Sequence, residues 1–300
     1  MVMSQNILTL SPSRKKSFQR CRLKHYIHYL LRKRTAKIEP KFMYGTAIHE
    51  ALSRFYTHKD SDLYKQINPL EDIIKTFKLH MITEGLEANL SHEIQAMTTQ
   101  GIAILKDYYQ NVAIKDTFQV ISTEVSFSLG IQADGIISDR VNSDSFVVFS
   151  GKIDMIIKIG ELYYIVDHKT TEMDEYDFEY HTITDTQLLD YSIYGRHTYK
   201  DNFGGVIFNV LCHLPRSEWM QRFYWKYTDQ EIDYAISTYL DVAQEYYTFE
   251  NMPHQMTKRN EQYDCRYCGD QDASLLYMQG KDWKSYIDTH YEDIQRMDWE

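Results

Sequence analysis

The sequence predicts an α/β (α+β) fold, with a mixed central sheet flanked by helices and preceded by a helical N-terminal region. Three observations lead to this prediction. Apolar residues recur at helical spacing up to about residue 114, runs rich in Val, Ile, Phe and Tyr follow, and a helix, two strands and a helix complete the order. We expect a single domain over residues 1–300, with a helical part at 1–115, a sheet core at 116–228 and C-terminal helices with a cysteine-containing loop at 229–300.

The helical part is expected to begin at Ser11. Its side chain can accept a hydrogen bond at a helix N-terminus, and Pro12 suits the first helical position. Apolar spacing carries this first helix to about Lys33. Three further helices fit at 44–56, 70–84 and 93–114.

The middle of the chain changes from helical to strand patterning. Strands fit at 117–129, 145–159 and 162–169, followed by a helix at 185–199 and strands at 205–213 and 219–227. Thr228 and Glu231 have the spacing of a capping box, which predicts a helix through about Tyr247. A last short helix fits near 281–297.

Charge is distributed unevenly along the chain. The formal net charge is -10, yet residues 1–42 hold eleven basic residues and one acidic residue. The average excludes a uniformly basic nucleic-acid coat but permits a local phosphate-binding surface, because salt screens exposed charges beyond ~8–10 Å. The sequence has no apolar run long enough for a membrane span and no signal-peptide pattern, and its four cysteines favour a reducing compartment, so we expect a cytoplasmic location.

The segment GKIDMIIKIGELYYIVDHKT, residues 151–170, predicts a β-hairpin that brings polar residues together. Gly160 and Glu161 suit a two-residue turn with glycine at its first central position. This turn pairs Lys158 with Tyr163 and Ile156 with Ile165, and it places Asp154 opposite Asp167. Lys169 lies two residues after Asp167 and so shares its face of the strand.

Two carboxylates and an ammonium group on one sheet face have two interpretations. Opposed acids repel unless a cation lies between them, and hard oxygen ligands suit Mg²⁺ or Mn²⁺. A lysine beside such a metal can orient water or offset negative charge on a phosphoryl transition state. The alternative is an ordinary polar hairpin end, in which Lys169 forms salt bridges with both acids.

Two helices carry further polar pairs at i and i+4 spacing. Gly45 and His49 lie on one helix face, where glycine permits close approach of another backbone and histidine can bind a metal. Gln187 and Tyr191 form a similar pair on the helix after the hairpin. Taken singly, the first pair also fits a half-buried histidine and the second a polar helix flank.

The order of these motifs resembles the PD-(D/E)xK nuclease superfamily, specifically its RecB-like branch, which includes CRISPR-adaptation-type exonucleases. The resemblance spans about residues 8–192, with a fainter match at 263–268, and it rests on LSPSRKKSFQRCRLKHY, GTAIH, GKIDMI, IVDHKT and QLLDY. It implies a restriction-endonuclease-like core. The residue before Asp154 is Ile153, where the superfamily motif has proline, a departure that is common in this branch.

The resemblance also implies roles for individual residues. The implied metal ligands are His49, Asp154, Asp167 and the backbone carbonyl of His168. The implied catalytic residues are Asp154, Asp167, Lys169, Gln187 and Tyr191, of which Gln187 and Tyr191 also position DNA. Glu124 occupies a place where relatives often carry an acid.

The cysteines depart from the pattern of those relatives that hold an iron–sulfur cluster with four cysteines. Cys21, Cys265 and Cys268 match three positions, and the expected last cysteine is absent. Three interpretations stay open. The cluster is lost, or Cys212 or Asp270 completes it, or the three cysteines hold zinc with a fourth ligand such as His254.

These observations favour a metal-dependent DNA nuclease, specifically an exonuclease acting on single-stranded DNA or DNA ends in phage or bacterial recombination, repair or DNA processing. We expect Arg14, Lys15, Arg20 and Lys24 to bind DNA, and relatives imply other recombination or replication proteins as partners. No Walker A motif is present. The alternatives are a catalytically silent DNA-binding or scaffold subunit with the same fold, and a small-molecule metallohydrolase.

Overall fold

A computed structural model describes residues 7–35, 40–87, 91–213, 219–250 and 269–294. The chain divides into two compact units. The first unit combines residues 1–37, 126–151 and 233–300, and the second unit combines residues 38–125 and 152–232. The predicted site residues of the hairpin and of the two polar helix pairs all belong to the second unit.

The described residues form a seven-stranded mixed sheet and a small two-stranded sheet. The strands in chain order are β1 (Leu8–Leu10), β2 (Lys33–Thr35), β3 (Gln119–Gln132), β4 (Ile137–Ser138), β5 (Ser145–Ile159), β6 (Leu162–Thr171), β7 (Phe203–Cys212), β8 (Met220–Trp225) and β9 (Tyr291–Asp293). The large sheet has the order β4-β3-β5-β6-β7-β8, with β1 parallel to β5, and β2 pairs with β9. Strands β6 and β7 are parallel, whereas β5–β6 and β7–β8 are antiparallel. The predicted α/β class with a mixed sheet is confirmed.

Helices precede, interrupt and follow the strands. They are α1 (Pro12–Arg20), α2 (Arg22–His25), α3 (Pro40–His58), α4 (Pro69–Glu87), α5 (Ser91–Asn111), α6 (Glu175–Thr184), α7 (Gln187–Tyr199), α8 (Asp229–Glu250), α9 (Gln271–Met278) and α10 (Trp283–His290). The sequence did not predict α6, which begins where the Asp174 carboxylate accepts a hydrogen bond from the Asp177 backbone N–H.

The core of the second unit lies between α3, α4 and α5 and the strands β5, β6 and β7. On α3, Tyr44, Ile48, Leu52 and Phe55 recur at helical spacing and are buried. Burial of each large apolar side chain contributes about 1.5–3 kcal/mol, so this face holds α3 firmly against its neighbours. The same helix carries His49, whose position therefore depends on this packing.

The first unit departs from the predicted first helix. Ser11 caps α1 as predicted, since its hydroxyl accepts a hydrogen bond from the Arg14 backbone N–H. The helix then breaks at Cys21, which is extended with φ -156°, and the chain resumes as α2 and a π-helical turn at Tyr26–Leu30. Leu23 and Ile27 are buried against Ala273, Ile287 and Tyr291. The broken helix thus turns its second half toward the C-terminal helices of the same unit.

The β5–β6 hairpin has the predicted register. Lys158 pairs with Tyr163 and Ile156 pairs with Ile165. Gly160 has φ 59°, which a two-residue hairpin turn requires and glycine adopts without strain. The ladder ends at the pair of Met155 and Val166, one position before the predicted opposition of the two aspartates.

Candidate active site

Asp154 is held at the end of the hairpin ladder by two nitrogen atoms. Its Oδ2 accepts a hydrogen bond from the His168 backbone N–H at 2.7 Å and lies 3.3 Å from His49 Nδ1. The carboxylate of β5 therefore interacts with the backbone of β6, in place of a ladder pair. Gly45 allows α3 to approach this region, since a Cβ atom added there would lie only 3.3 Å from Thr170 Oγ1. The structure thus brings His49 and Asp154 into contact.

Asp167, Lys169, Gln187 and Tyr191 form a connected group. Lys169 Nζ lies 2.8 Å from Asp167 Oδ2 and donates to Gln187 Oε1 at 2.7 Å. Gln187 Nε2 donates to Asp167 Oδ1 at 3.0 Å and contacts the Tyr191 hydroxyl oxygen at 3.1 Å. The Tyr191 hydroxyl donates to the Lys152 carbonyl at 2.9 Å. Helix α7 therefore connects the acid and the lysine of β6 to the backbone of β5.

The electrostatic state of the site follows from burial and from these contacts. Burial raises the pKa of the Asp167 carboxyl to about 6, despite the opposing charge of Lys169. Burial acts to raise the pKa of Asp154 as well, but the charge of His49 and the hydrogen bond from His49 outweigh it and hold this pKa below its ordinary value. The pKa of Lys169 is raised, because the Asp167 carboxylate outweighs the effect of burial. The pKa of His49 is raised because Asp154 likewise outweighs burial.

The donor set suits a hard divalent cation. Two carboxylates and an imidazole lie within electrostatic reach of one another, and oxygen ligands of this kind bind Mg²⁺ or Mn²⁺. Within the described residues, no three His, Cys, Asp or Glu side chains converge closely enough to hold an ion as placed. The positive groups of Lys169 and His49 instead neutralise the carboxylates. A bound metal has to displace part of this internal pairing.

An open cavity of about 1010 Å³ adjoins Asp154 in the second unit. Its lining comprises Lys41, Phe42, Gly45, Thr46, His49, Glu50, Ser53, Glu124, Lys152, Asp154, Thr170, Thr171, Glu172, Met173 and His213. Glu124 Oε2 lies 2.6 Å from Lys152 Nζ, so Glu124 lies in the cavity wall as part of an ion pair. Glu124 has φ 54°, a left-handed conformation that costs a non-glycine residue about 1–2 kcal/mol. Such strain is concentrated at functional sites.

A buried polar row beside the site was not predicted. His168 lies next to Asn209 across β6 and β7, and Asn209 lies next to Arg222 across β7 and β8. The available signal was a polar residue inside each of two apolar strands, Asn209 in GVIFNVLC and Arg222 in MQRFYW. Sequence reasoning also assigned no role to Lys152, although it lines the cavity.

The basic residues of the first helix have different environments. Lys15 is only 3% exposed, with Nζ 3.2 Å from Thr238 Oγ1 and 4.3 Å from the centroid of the Tyr239 ring. This burial removes Lys15 from the predicted DNA-binding set, because a buried ammonium does not reach a phosphate. Arg14 is half-buried and donates to the Thr9 carbonyl at 2.9 Å. Arg20 is exposed and Lys24 is half-buried.

Only part of the predicted cysteine site falls within the described residues. Cys21 is a half-buried free thiol, and the buried Cys212 thiol donates to the Met173 carbonyl at 3.2 Å. Cys265, Cys268 and His254 lie outside the described residues. Asp270 is buried and pairs with His28, whose Nε2 lies 3.0 Å from Asp270 Oδ2. Asp270 therefore already has a partner in the first unit, and the iron–sulfur and zinc interpretations stay predictions.

Comparisons with known proteins place this geometry in a family. In the part of the chain that the structure describes, every helix is too short or too polar to cross a membrane. No curated protein matched the sequence. The chain is similar to the crystal structure of SSO0001, with 14% identity over 83% of this chain and 92% of that chain, but the TM-score of 0.29 is too low to carry an argument.

A family comparison identifies the superfamily, because its match covers most of the chain and includes the whole candidate active site. The model of the PD-(D/E)XK nuclease superfamily matches residues 9–272, a range that contains His49, Asp154, Lys169 and Tyr191. Members of this superfamily generally use Mg²⁺ or Mn²⁺ and cleave phosphodiester bonds. The chain therefore belongs to the PD-(D/E)XK nuclease superfamily, which assigns it as a nuclease.

Proposed function

We propose that the protein is a metal-dependent DNA exonuclease of the RecB-like branch, acting on single-stranded DNA or DNA ends. The observation that carries the proposal is the contact of Lys169 Nζ with both Asp167, at 2.8 Å, and Gln187, at 2.7 Å, beside a carboxylate held by His49. An ammonium and two acids in this arrangement suit hydrolysis of a phosphodiester. We further propose a cytoplasmic role in phage or bacterial recombination, repair or DNA processing, alongside other recombination or replication proteins.

Asp154, Asp167 and His49, with the backbone carbonyl of His168, would hold the metal. The His49 nitrogen that could share a metal with Asp154 is Nδ1, because it lies 3.3 Å from Asp154 Oδ2. The metal, when bound, would lower the pKa of a water molecule and polarise the phosphate.

Lys169 keeps its positive charge, since Asp167 raises its pKa, and this charge offsets the negative charge that develops on the phosphoryl oxygens. Gln187 fixes the lysine and the acid relative to each other, because it accepts from one and donates to the other. Tyr191 anchors this arrangement to the Lys152 carbonyl. Lys152 also lines the cavity, where its charge is paired with Glu124.

The proposal is tested with linear single-stranded, linear double-stranded and circular DNA of matched length. Each substrate is incubated with the full chain and Mg²⁺ or Mn²⁺, and a chelator is then added. The expected result is metal-dependent release of short products from linear DNA and none from circular DNA. Cleavage of circular DNA at the same rate contradicts the exonuclease proposal. The Asp167→Asn variant, which keeps the size of the side chain, serves as the inactive control.

The alternative proposal is a catalytically silent DNA-binding or scaffold subunit. This alternative is favoured by two ion pairs, His49 with Asp154 and Lys169 with Asp167, because through them the chain neutralises its own acids. DNA binding without metal-dependent cleavage, for every substrate in the panel, supports the silent subunit. Cleavage that the Asp167→Asn variant abolishes excludes it.

A further inference from the structure

Three neighbouring strands place a row of polar side chains directly behind the proposed active site. His168 on β6 pairs with Asn209 on β7, and Asn209 pairs with Arg222 on β8. Residues that pair across adjacent strands point to the same face of a sheet. His168 and Asn209 are 2% and 1% exposed, so their polar atoms depend on each other and not on solvent.

Arg222 fixes the orientation of Asn209. Its Nε donates to Asn209 Oδ1 at 3.0 Å, while Nη1 and Nη2 donate to Asp116 Oδ1 and Oδ2 at 2.6 and 2.8 Å. A guanidinium group only donates, so the atom that faces it must be the amide oxygen of Asn209. The amide nitrogen therefore points the other way, toward His168 Nδ1 at 2.8 Å and the Tyr108 hydroxyl at 2.9 Å.

This orientation settles the protonation of His168. Because the Asn209 amide nitrogen donates, His168 Nδ1 has to accept and carries no proton. The ring is then neutral, with its proton on Nε2. Tyr56 stacks on the ring at a centroid distance of 5.9 Å and an interplanar angle of 15°, which fixes the ring plane.

Two tyrosines extend the network, in which the buried His168 Nε2 has no hydrogen-bond partner among the described residues. The Tyr108 hydroxyl receives hydrogen bonds from Asn209 and from Arg222 Nη2, so its own proton points to Tyr56, 2.6 Å away. The Tyr56 hydroxyl in turn donates to Asp116 Oδ2 at 2.7 Å. The path of hydrogen bonds from Asn209 through Tyr108 and Tyr56 thus has one direction and ends at the Asp116 carboxylate.

The network reaches the proposed site through His168. The His168 backbone N–H donates to Asp154 Oδ2 at 2.7 Å, and His168 lies between Asp167 and Lys169 in the sequence. Its ring also lies edge-on to His49 at a centroid distance of 6.0 Å. The orientation of this one residue therefore bears on both carboxylates, the lysine and the histidine of the site.

We propose that Asn209 and Arg222 are positioning residues for the nuclease reaction, acting through His168 on the strand that carries Asp167 and Lys169. The inference rests on the proposed function. Loss of a group that orients metal ligands typically lowers metal affinity or activity ~10–100-fold. The competing explanation is that the network only stabilises the fold, as buried ion pairs and hydrogen bonds elsewhere do.

The test compares Asn209→Leu, which keeps the approximate volume and removes both amide contacts, with Val206→Ala. Val206 lies three residues before Asn209 on β7, is fully buried and pairs with Ile165, so this control weakens the same strand away from the network and from Lys169. Arg222→Gln is a second variant, at a side chain that is 28% exposed and therefore more tolerant of replacement. The full chain is used throughout.

Three quantities are measured: single-turnover DNA cleavage, Mn²⁺ affinity by calorimetry, and the ¹⁵N shifts of the His168 imidazole. We expect Asn209→Leu to lower cleavage and Mn²⁺ affinity ~10–100-fold and to release the single His168 tautomer, with Arg222→Gln changing them in the same direction. Val206→Ala should retain the parental tautomer and metal affinity.

Equal losses in Asn209→Leu and Val206→Ala, at matched fractions of folded protein, overturn the inference and leave the proposed function standing. A parent chain that neither binds Mn²⁺ nor cleaves DNA overturns both. If Asn209→Leu does not fold, the Arg222→Gln variant decides the question by the same readouts.

Discussion

Gln187→Glu is the substitution that probes the proposed site most locally, because it changes one amide nitrogen to oxygen and leaves the shape intact. In the parent, Gln187 Nε2 is 3.0 Å from Asp167 Oδ1 and 3.1 Å from the Tyr191 hydroxyl. A glutamate offers no donor to either atom. Lys169 keeps its acceptor, because the second oxygen of the side chain is present in both residues.

The magnitude follows from these two interactions. A hydrogen bond to a charged group contributes about 1.5–3 kcal/mol, and its removal here is joined by repulsion between two carboxylates. At an effective dielectric constant of about 20 and a separation near 3 Å, that repulsion reaches about 5 kcal/mol before the side chains move apart. Allowing for that movement, we expect transition-state stabilisation to fall by about 3 kcal/mol, or ~10²-fold in rate.

The assay is single-turnover cleavage of labelled linear DNA at saturating Mg²⁺, with unfolding curves to establish that each variant is folded. Thr198→Glu is the control, since it adds the same charge at an exposed position on the same helix. We expect the control to cleave within about threefold of the parent, a difference below 1 kcal/mol. A Gln187→Glu variant that also cleaves within this range refutes the reasoning that Gln187 couples Asp167 to Lys169.

Three further predictions concern stability and DNA binding. Burial, together with the charges of Arg14 and His28, lowers the pKa of His25 from 6.5 to about 3, so His25 stays neutral in the folded chain, whereas the unfolded chain takes up a proton as the pH falls below 6.5. Between about pH 7.5 and 5, the free energy of unfolding of the parent, measured in urea, should therefore fall by about 2 kcal/mol more than that of His25→Phe. Equal losses argue against this assignment. Glu124→Gly should be more stable than Glu124→Ala by about 1 kcal/mol, because only glycine relieves the strain at φ 54°, and the reverse order in urea unfolding contradicts a strained backbone. Replacing Arg20 and Lys24 by Gln should reduce the slope of log affinity against log salt by about 0.7–0.9 for each DNA phosphate that the variant no longer neutralises. The slope is measured by fluorescence anisotropy with labelled DNA. An unchanged slope indicates that these residues are ordinary solvated surface residues.

Local patterns were sufficient to predict the hairpin, because a two-residue turn at Gly160 sets the register of the strands on either side. They also indicated Gln187 and Tyr191, whose i, i+4 spacing places both on one face of α7. Both features depend on residues close together in the sequence.

The network around Asn209 could not be predicted in this way. Strands β6 and β7 are parallel and joined through α6 and α7, so no turn sets their register, and the pairing of His168 with Asn209 follows from the packing of the whole unit. The break at Cys21 was missed for a related reason. Apolar spacing continues through it, whereas the structure turns the second half of the segment to bury Leu23 and Ile27 against residues more than two hundred positions away.

The central claim is that Asp167 and Lys169 form the active site of a metal-dependent nuclease. The most direct measurement is the single-turnover rate of DNA cleavage by the parent, by Lys169→Met and by Lys158→Met, with Mg²⁺ and then with chelator. Lys158 lies on the same hairpin and pairs with Glu161 at the surface, so its replacement removes an equal charge away from the site. The account predicts metal-dependent cleavage by the parent and Lys158→Met and none detectable by Lys169→Met. Cleavage by Lys169→Met at the parental rate would contradict it.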